Sequence, residues 1–153
     1  MKKIIDQLQK IISDYSEKLN RVSEDDFSLK PIPEKWSRKE ELGHLIDSAH
    51  NNLRRFLVAQ YETNPKIVYE QNRWVEMAGY RHRSSKDLVA LWKGLNLQVV
   101  AVLKSMPEKN FSKQCDTGKT EIELHSLEWL AQDYLRHVSH HLNHILELEA
   151  IPY

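Results

Sequence analysis

The chain has 153 residues, 41% of them apolar, enough for one domain (1–153) with a single core that buries most of its surface. Its 22 basic and 22 acidic residues cancel, which argues against a protein whose main work is to grip nucleic acid or an anionic membrane. Cys115 is the one cysteine, so no internal disulfide forms and the cytoplasm is the expected compartment. Asp6, Gln7, Gln9 and Lys10 interrupt any apolar signal-peptide core behind Lys2 and Lys3, and no stretch reads as long enough to span a bilayer.

Four glycines and five prolines punctuate the sequence, and apolar residues recur between them at helical spacing, so the fold class is all-α with four long helices. The first is expected over 3–21, with Ile4, Ile5, Leu8, Ile11, Ile12, Tyr15 and Leu19 as one stripe. A loop with Pro31 and Pro33 follows. Ser37-Arg-Lys-Glu40 reads as a capping box that opens the second helix, which runs to about Tyr61. The long connection 64–84 is rich in aromatic and polar residues, Tyr69, Gln71, Asn72, Trp74, Tyr80, Arg81, His82 and Arg83 among them, and is a candidate pocket wall or lid. Within it, Trp74 and Tyr80 suit capping the bundle better than stacking on a substrate. The third helix, 85–106, carries Leu88, Leu91, Trp92, Leu95, Val99, Val102 and Leu103 and stops at Pro107. Asp116-Thr-Gly118 then suits a turn and Thr120-Glu-Ile-Glu-Leu124 a short extended piece. Ser126 is the expected N-cap of the fourth helix, which runs to Glu149 with Leu127, Leu130, Tyr134, Leu142, Ile145 and Leu148 inward.

Four of the eight histidines fall in that last helix, in the run His137-Val-Ser-His140-His141-Leu-Asn-His144. Residues four apart on a helix share a face, with Cβ atoms roughly 5–6 Å apart, so two imidazoles at that spacing can hold one cation. The H-E-x-x-H helix of metalloproteases uses the same geometry. At about 100° per residue, His137 and His141 fall in the sector of Leu130, Tyr134 and Ile145, while His140 lies off it and His144 sits at its edge. Imidazoles in an apolar stripe carry a desolvation cost unless their nitrogens are satisfied, by hydrogen bonds or by a metal, and the paired spacing favours the metal. A third ligand would come from a facing helix, where His44 and His50 are available. His44 lies about 150° from the centre of the Leu42, Leu45, Ile46, Ala49, Leu53, Phe56 stripe, beside Asp47, Ser48, Asn51 and Arg55. That places it either on a solvated polar face or on the wall of a wet cleft, and periodicity does not choose. His82 and His125 belong to loops or a helix start and read as solvated.

Trp36-Ser37, the spacing of Trp36-Ser-Arg-Lys-Glu-Glu-Leu-Gly-His44-Leu-Ile-Asp47, and Asp133-Tyr-Leu-Arg-His137-Val-Ser-His-His141-Leu-Asn-His-Ile together resemble the DinB-like superfamily, particularly its YfiT-like branch of metal-dependent hydrolases. The similarity covers nearly the whole chain. It implies an antiparallel-type four-helix bundle with a long crossover connection, holding a divalent metal between the second and fourth helices. The ligands it implies are His44, His137 and His141; it gives His140 and His144 no ligand role and leaves a pocket role open for His144. The family name refers to DNA-damage induction, which is a matter of regulation, and the neutral charge gives no support for DNA binding.

Three neutral imidazoles leave zinc or nickel with open positions, as in catalytic sites. Such a cation lowers the pKa of bound water to about 7 or polarises a carbonyl, so the expected function is hydrolysis of a small-molecule ester or amide. One alternative is a thiol (S-)transferase using a low-molecular-weight thiol; another is a metal-binding bundle without turnover. Asp47, one turn beyond His44, and Asp133, one turn before His137, are candidate proton shuttles, although an orienting or solvated role suits both better because no H-E-x-x-H pattern is present. Cys115, in a loop without a basic pair beside it, is not expected to be a nucleophile. Apolar residues left over on the first three helices suggest a homodimer.

Overall fold

Four long helices carry the architecture: α1 (Lys2–Asn20), α3 (Arg38–Val58), α5 (Ser85–Ser105) and α6 (Leu127–Ile145). Two short ones, α2 (Glu24–Ser28) and α4 (Gln71–Ala78), lie in the connections. The computed structural model describes residues 1–30 and 32–146; Pro31, Leu148 and the expected helix end at Glu149 fall outside them.

Local chemistry accounts for the helix starts. Ser37 Oγ accepts from the Glu40 N–H while Glu40 Oε2 accepts from the Ser37 N–H, so the capping box forms as the sequence suggests. Ser126 Oγ accepts from the Trp129 N–H at 3.1 Å and opens α6. No side chain of its own caps α5. Instead Glu24, on α2, accepts from the Ser85 N–H through Oε2 at 2.9 Å and pairs with Lys39 of α3 through Oε1, joining three elements through one carboxylate.

α1 packs on α5 and α6, and α3 packs on the same two helices, so helices consecutive among the long four sit at opposite corners for two of the three connections. The segments 21–37 and 106–126 therefore cross the bundle from corner to corner, which is the crossover the resemblance implies. The connection between α3 and α5 joins neighbours and folds back onto α3. It is less irregular than its sequence suggests: α4 is too short for periodicity to reveal, and Gly79 ends it in the left-handed region at φ 65°.

The other connection holds a small antiparallel ladder, β1 (Gln114–Asp116) against β2 (Leu124–Ser126), with Lys66 bridging Asp116 in parallel. The extended piece expected over 120–124 thus begins only at Leu124. Asp116 Oδ1 accepts from the Gly118 and Glu123 N–H groups at 2.9 and 3.0 Å, which curls the intervening residues into a turn.

By length and composition α5 is apolar enough to cross a membrane, which corrects the expectation that no stretch is. Here it serves as a core helix, burying Leu88, Val89, Trp92, Val99 and Leu103. Leu8, Leu19, Trp92, Leu103, Tyr134 and Leu142 are fully or almost fully buried, each such side chain contributing about 1.5–3 kcal/mol of transfer free energy. α3 differs from the other helices in kind. Its apolar stripe and its polar face are both covered, so Glu41, His44, Asp47, Ser48, Asn51 and Asn52 are buried alongside Leu42, Leu45 and Phe56.

Candidate metal centre

The polar face of α3 meets the inward face of α6, and there three imidazoles converge. Ring centroids of His44 and His137 lie 5.0 Å apart, those of His44 and His141 4.8 Å, and those of His137 and His141 4.6 Å. One nitrogen from each lies within 4.8 Å of the others. The two residues on α6 share a face because they are four apart; His44 reaches them because α3 turns its polar side inward.

Two buried nitrogens in this cluster, His44 Nδ1 and His137 Nε2, have no hydrogen-bond partner. Leaving such a group unsatisfied costs about 1–3 kcal/mol, so a fold that retains two of them at one point has a use for their lone pairs. Burial, reinforced by His141, pushes the pKa of His44 down to about 4. Burial also takes His137 down to about 3, with His141, His44, His140 and Arg55 adding to the effect. Both rings are therefore neutral near pH 7, the state in which imidazole binds a metal. The donor set fits a divalent transition-metal ion.

The carboxylate serving this cluster is Glu41, one turn before His44. Its Oε1 accepts from His141 Nδ1 at 2.8 Å, a contact that leaves His141 Nε2 with its lone pair. His144 Nδ1 lies 2.9 and 2.7 Å from the two Glu41 oxygens. Burial alone would raise the Glu41 pKa, but the hydrogen bonds from His141 and His144 hold it below the ordinary carboxylate value. Sequence reasoning sought a glutamate next to a ligand and overlooked one three residues before it; the Glu41-x-x-His44 spacing, one turn on a polar face, was the available signal.

The sequence candidates sort clearly by position. Asp47 is buried, and Tyr80 Oη donates to its Oδ1 at 2.5 Å while Oδ2 has no partner. Burial raises the Asp47 carboxyl to about 6, although Tyr80 and His50 oppose the shift. Tyr80 itself lies flat against Gly43, where an added Cβ would overlap its ring. It thus caps the bundle rather than facing a ligand. Asp133 stands half-exposed on α6 and accepts from Arg136 at 2.8 Å. His140 is exposed, with its ring 5.2 Å from His141. His50 and Tyr69 pack on the half-exposed Trp74, His125 stacks on Trp129 at 3.8 Å, and His82 is exposed beside Arg81. Cys115 is buried with its Sγ 3.1 Å from the Pro65 carbonyl, and burial raises its pKa.

A cavity of about 880 Å³ is lined by Trp36, Glu41 and His144 and by Gln71, Val75 and Glu76 of α4; His44, His137 and His141 are not in its lining, and Glu41, bonded to His141, joins the cluster to it. The Trp36 ring lies 5.2 Å from that of His44. The 64–84 connection therefore supplies a pocket wall, through α4.

A family model described as the DinB superfamily matches residues 7–145. The chain belongs to the DinB superfamily. Among the chain's relatives is YfiT of Bacillus subtilis, named as a candidate metal-dependent hydrolase and 28% identical over 114 residues, 74% of this chain and 64% of that protein. A protein of Bacillus cereus (strain AH820) with the same designation is 30% identical over 118 residues, with the same coverage. The chain thus matches a little under two thirds of the length of these curated relatives. The solved structure of Bacillus subtilis YfiT, described as an unusual four-helix bundle, superimposes with a TM-score of 0.86 at 23% identity, over 95% of this chain and 83% of that one. That of a mycothiol-dependent maleylpyruvate isomerase follows with a TM-score of 0.76 at 17% identity, over 98% and 61%. At such identities these structures establish a shared fold and nothing further.

Proposed function

We propose that His44, His137 and His141 hold one zinc or nickel ion and that the protein is a hydrolase acting on a small-molecule ester or amide. The observation that carries this reading is the convergence of three imidazoles, two of them held neutral and with an unpartnered buried nitrogen, joined through Glu41 to a cavity of substrate size. A cation bound there would supply Lewis acidity toward a carbonyl oxygen and activate a water nucleophile. The chain's own residues do the rest. Glu41 fixes the ring orientation of His141. Trp36 and Val75 give the cavity apolar wall, and Asp47 anchors the α3–α5 connection through Tyr80. Asp133, paired at the surface, is the weaker candidate for a part in the chemistry.

A second reading, thiol transfer, draws support from the mycothiol-dependent isomerase that shares the fold. Cys115 is buried, so the thiol would be a low-molecular-weight cosubstrate entering the cavity. A metal-binding bundle without turnover is the third. One experiment separates them: metal-loaded protein assayed against ester and amide panels, with and without low-molecular-weight thiols. Thiol-independent cleavage selects the hydrolase, thiol-dependent consumption of an electrophile the transferase, and silence in both the binding bundle. With this reading go a single domain spanning 1–153, a cytoplasmic setting, and a homodimer through the exposed Leu57, Leu91 and Leu97 of α3 and α5, which sedimentation tests directly.

A further inference from the structure

His144 has no place among the three converging rings, yet it stands on the cavity wall with its side chain 71% exposed, and its Nδ1 sits on both oxygens of a buried carboxylate. We propose that Glu41 and His144 form an oriented proton-transfer dyad serving the cavity, with His144 as a catalytic residue and Glu41 as the positioning residue. The inference rests on the reading of the site as an enzyme and adds the group that moves the proton.

The geometry follows from the inventory of donors. Glu41 is only an acceptor when ionised, so each ring that contacts it does so through an Nδ1–H. For His144 that leaves Nε2, at the opposite edge of a ring that lines the cavity, with a free lone pair. The same carboxylate holds His141 Nδ1 at 2.8 Å, so one buried side chain sets the tautomer of a ring in the cluster and of a ring in the cavity. This is the arrangement that lets a histidine act as general base: one nitrogen anchored to a carboxylate, the other facing the reacting groups.

In hydrolysis, His144 Nε2 takes a proton from the attacking water as the new carbon–oxygen bond forms. The ring then delivers that proton to the departing oxygen or nitrogen as the scissile bond breaks, and water is added across the bond with nothing left over. In thiol transfer the proton taken is that of the thiol. His140, exposed and outside the cavity lining, lacks a carboxylate among its described contacts and serves as the control.

The test uses zinc-loaded protein, wild type and the His144→Gln, His144→Ala, Glu41→Gln and His140→Gln variants, with p-nitrophenyl acetate and with 1-chloro-2,4-dinitrobenzene plus cysteine as probes. Alongside it, nitrogen-15 spectra of the histidine rings in metal-free protein read the His144 tautomer. His144→Gln should lower kcat about 100-fold or more while zinc affinity stays at the wild-type value, and added imidazole should restore part of the rate to His144→Ala. Glu41→Gln should weaken zinc binding about 10–100-fold and abolish the single Nδ1–H tautomer of His144. Unchanged kcat in His144→Gln, loss of zinc from that variant, or an Nε2–H tautomer in the wild type each overturns the dyad. Wild-type silence on both probes overturns the enzymatic reading instead, and with it the catalytic role of His144.

Discussion

Two seams of this bundle are equally deep and chemically opposite. Where α1 meets α5, the interior is Ile5, Leu8, Ile12, Leu19, Trp92, Val99 and Leu103, a set whose burial drives folding. Where the polar face of α3 is covered by α6 and by the connection to α5, comparable depth is given to His44, Asp47, Ser48, Asn51 and Glu41, groups that cost free energy to desolvate. The difference separates the part of the core that holds the protein together from the part that it holds in place. It also predicts that damage to the two seams will be read by different instruments.

The largest effect should come from the apolar seam. Leu8→Ala is expected to lower unfolding stability by about 2–5 kcal/mol while leaving metal affinity unchanged in the folded fraction, measured by urea unfolding and metal titration. If it abolished metal binding in folded protein, the seams would not be separable.

Acid should act on the other seam. In metal-free protein His44 and His137 titrate near 4 and 3 against an ordinary 6.5, so as pH falls below 6.5 the unfolded chain takes up protons that the folded one refuses. Their contribution is complete above 6.5 and is lost as pH drops toward those values, about 3 kcal/mol for the two together between pH 7.5 and 5.5. Asp47 runs the other way: its favourable contribution is present below 3.8 and lost as pH rises through about 6. Urea midpoints across this range should flatten at acid pH in a His44→Leu, His137→Leu double variant.

Smaller still is Tyr80→Phe. It removes the donor to Asp47 without changing the packing on Gly43, and should cost about 1 kcal/mol with α4 still in place by hydrogen exchange. At the bottom of the scale is Asp133→Ala, which breaks a half-exposed pair with Arg136 and should shift stability by about 0.5 kcal/mol or less. A large loss there would mean that the boundary of the polar seam has been drawn too tightly.

The apolar seam was legible in the sequence because an amphipathic stripe has one outcome: Ile4, Leu8, Ile12 and Leu19 recur at helical spacing and are buried together. Ser37, Ser126 and Pro107 likewise marked helix ends by local chemistry alone. The polar seam was half legible. His137 and His141 fall in the apolar sector of their own helix, and the spacing shows it. His44 lies on the polar side of α3, and a hydrophobic pattern does not say that a polar face will be covered by α6 and by a connection folding back from residue 59 onward. Only the resemblance to a family with a histidine at that position pointed to it. Glu41 escaped for the same reason: its role depends on a helix 100 residues away in sequence. The short α4 and the Asp116 turn were hidden by size, since neither contains enough residues to set a period.

The central claim is that the polar seam exists to bind a metal through His44, His137 and His141. Its most direct test is elemental analysis of protein purified without a histidine tag, comparing the wild type with His137→Ala, His140→Ala and the triple variant of His44, His137 and His141. One equivalent of transition metal in the wild type and in His140→Ala, with loss in His137→Ala and in the triple variant, is the predicted result. Metal retained in the triple variant would contradict it.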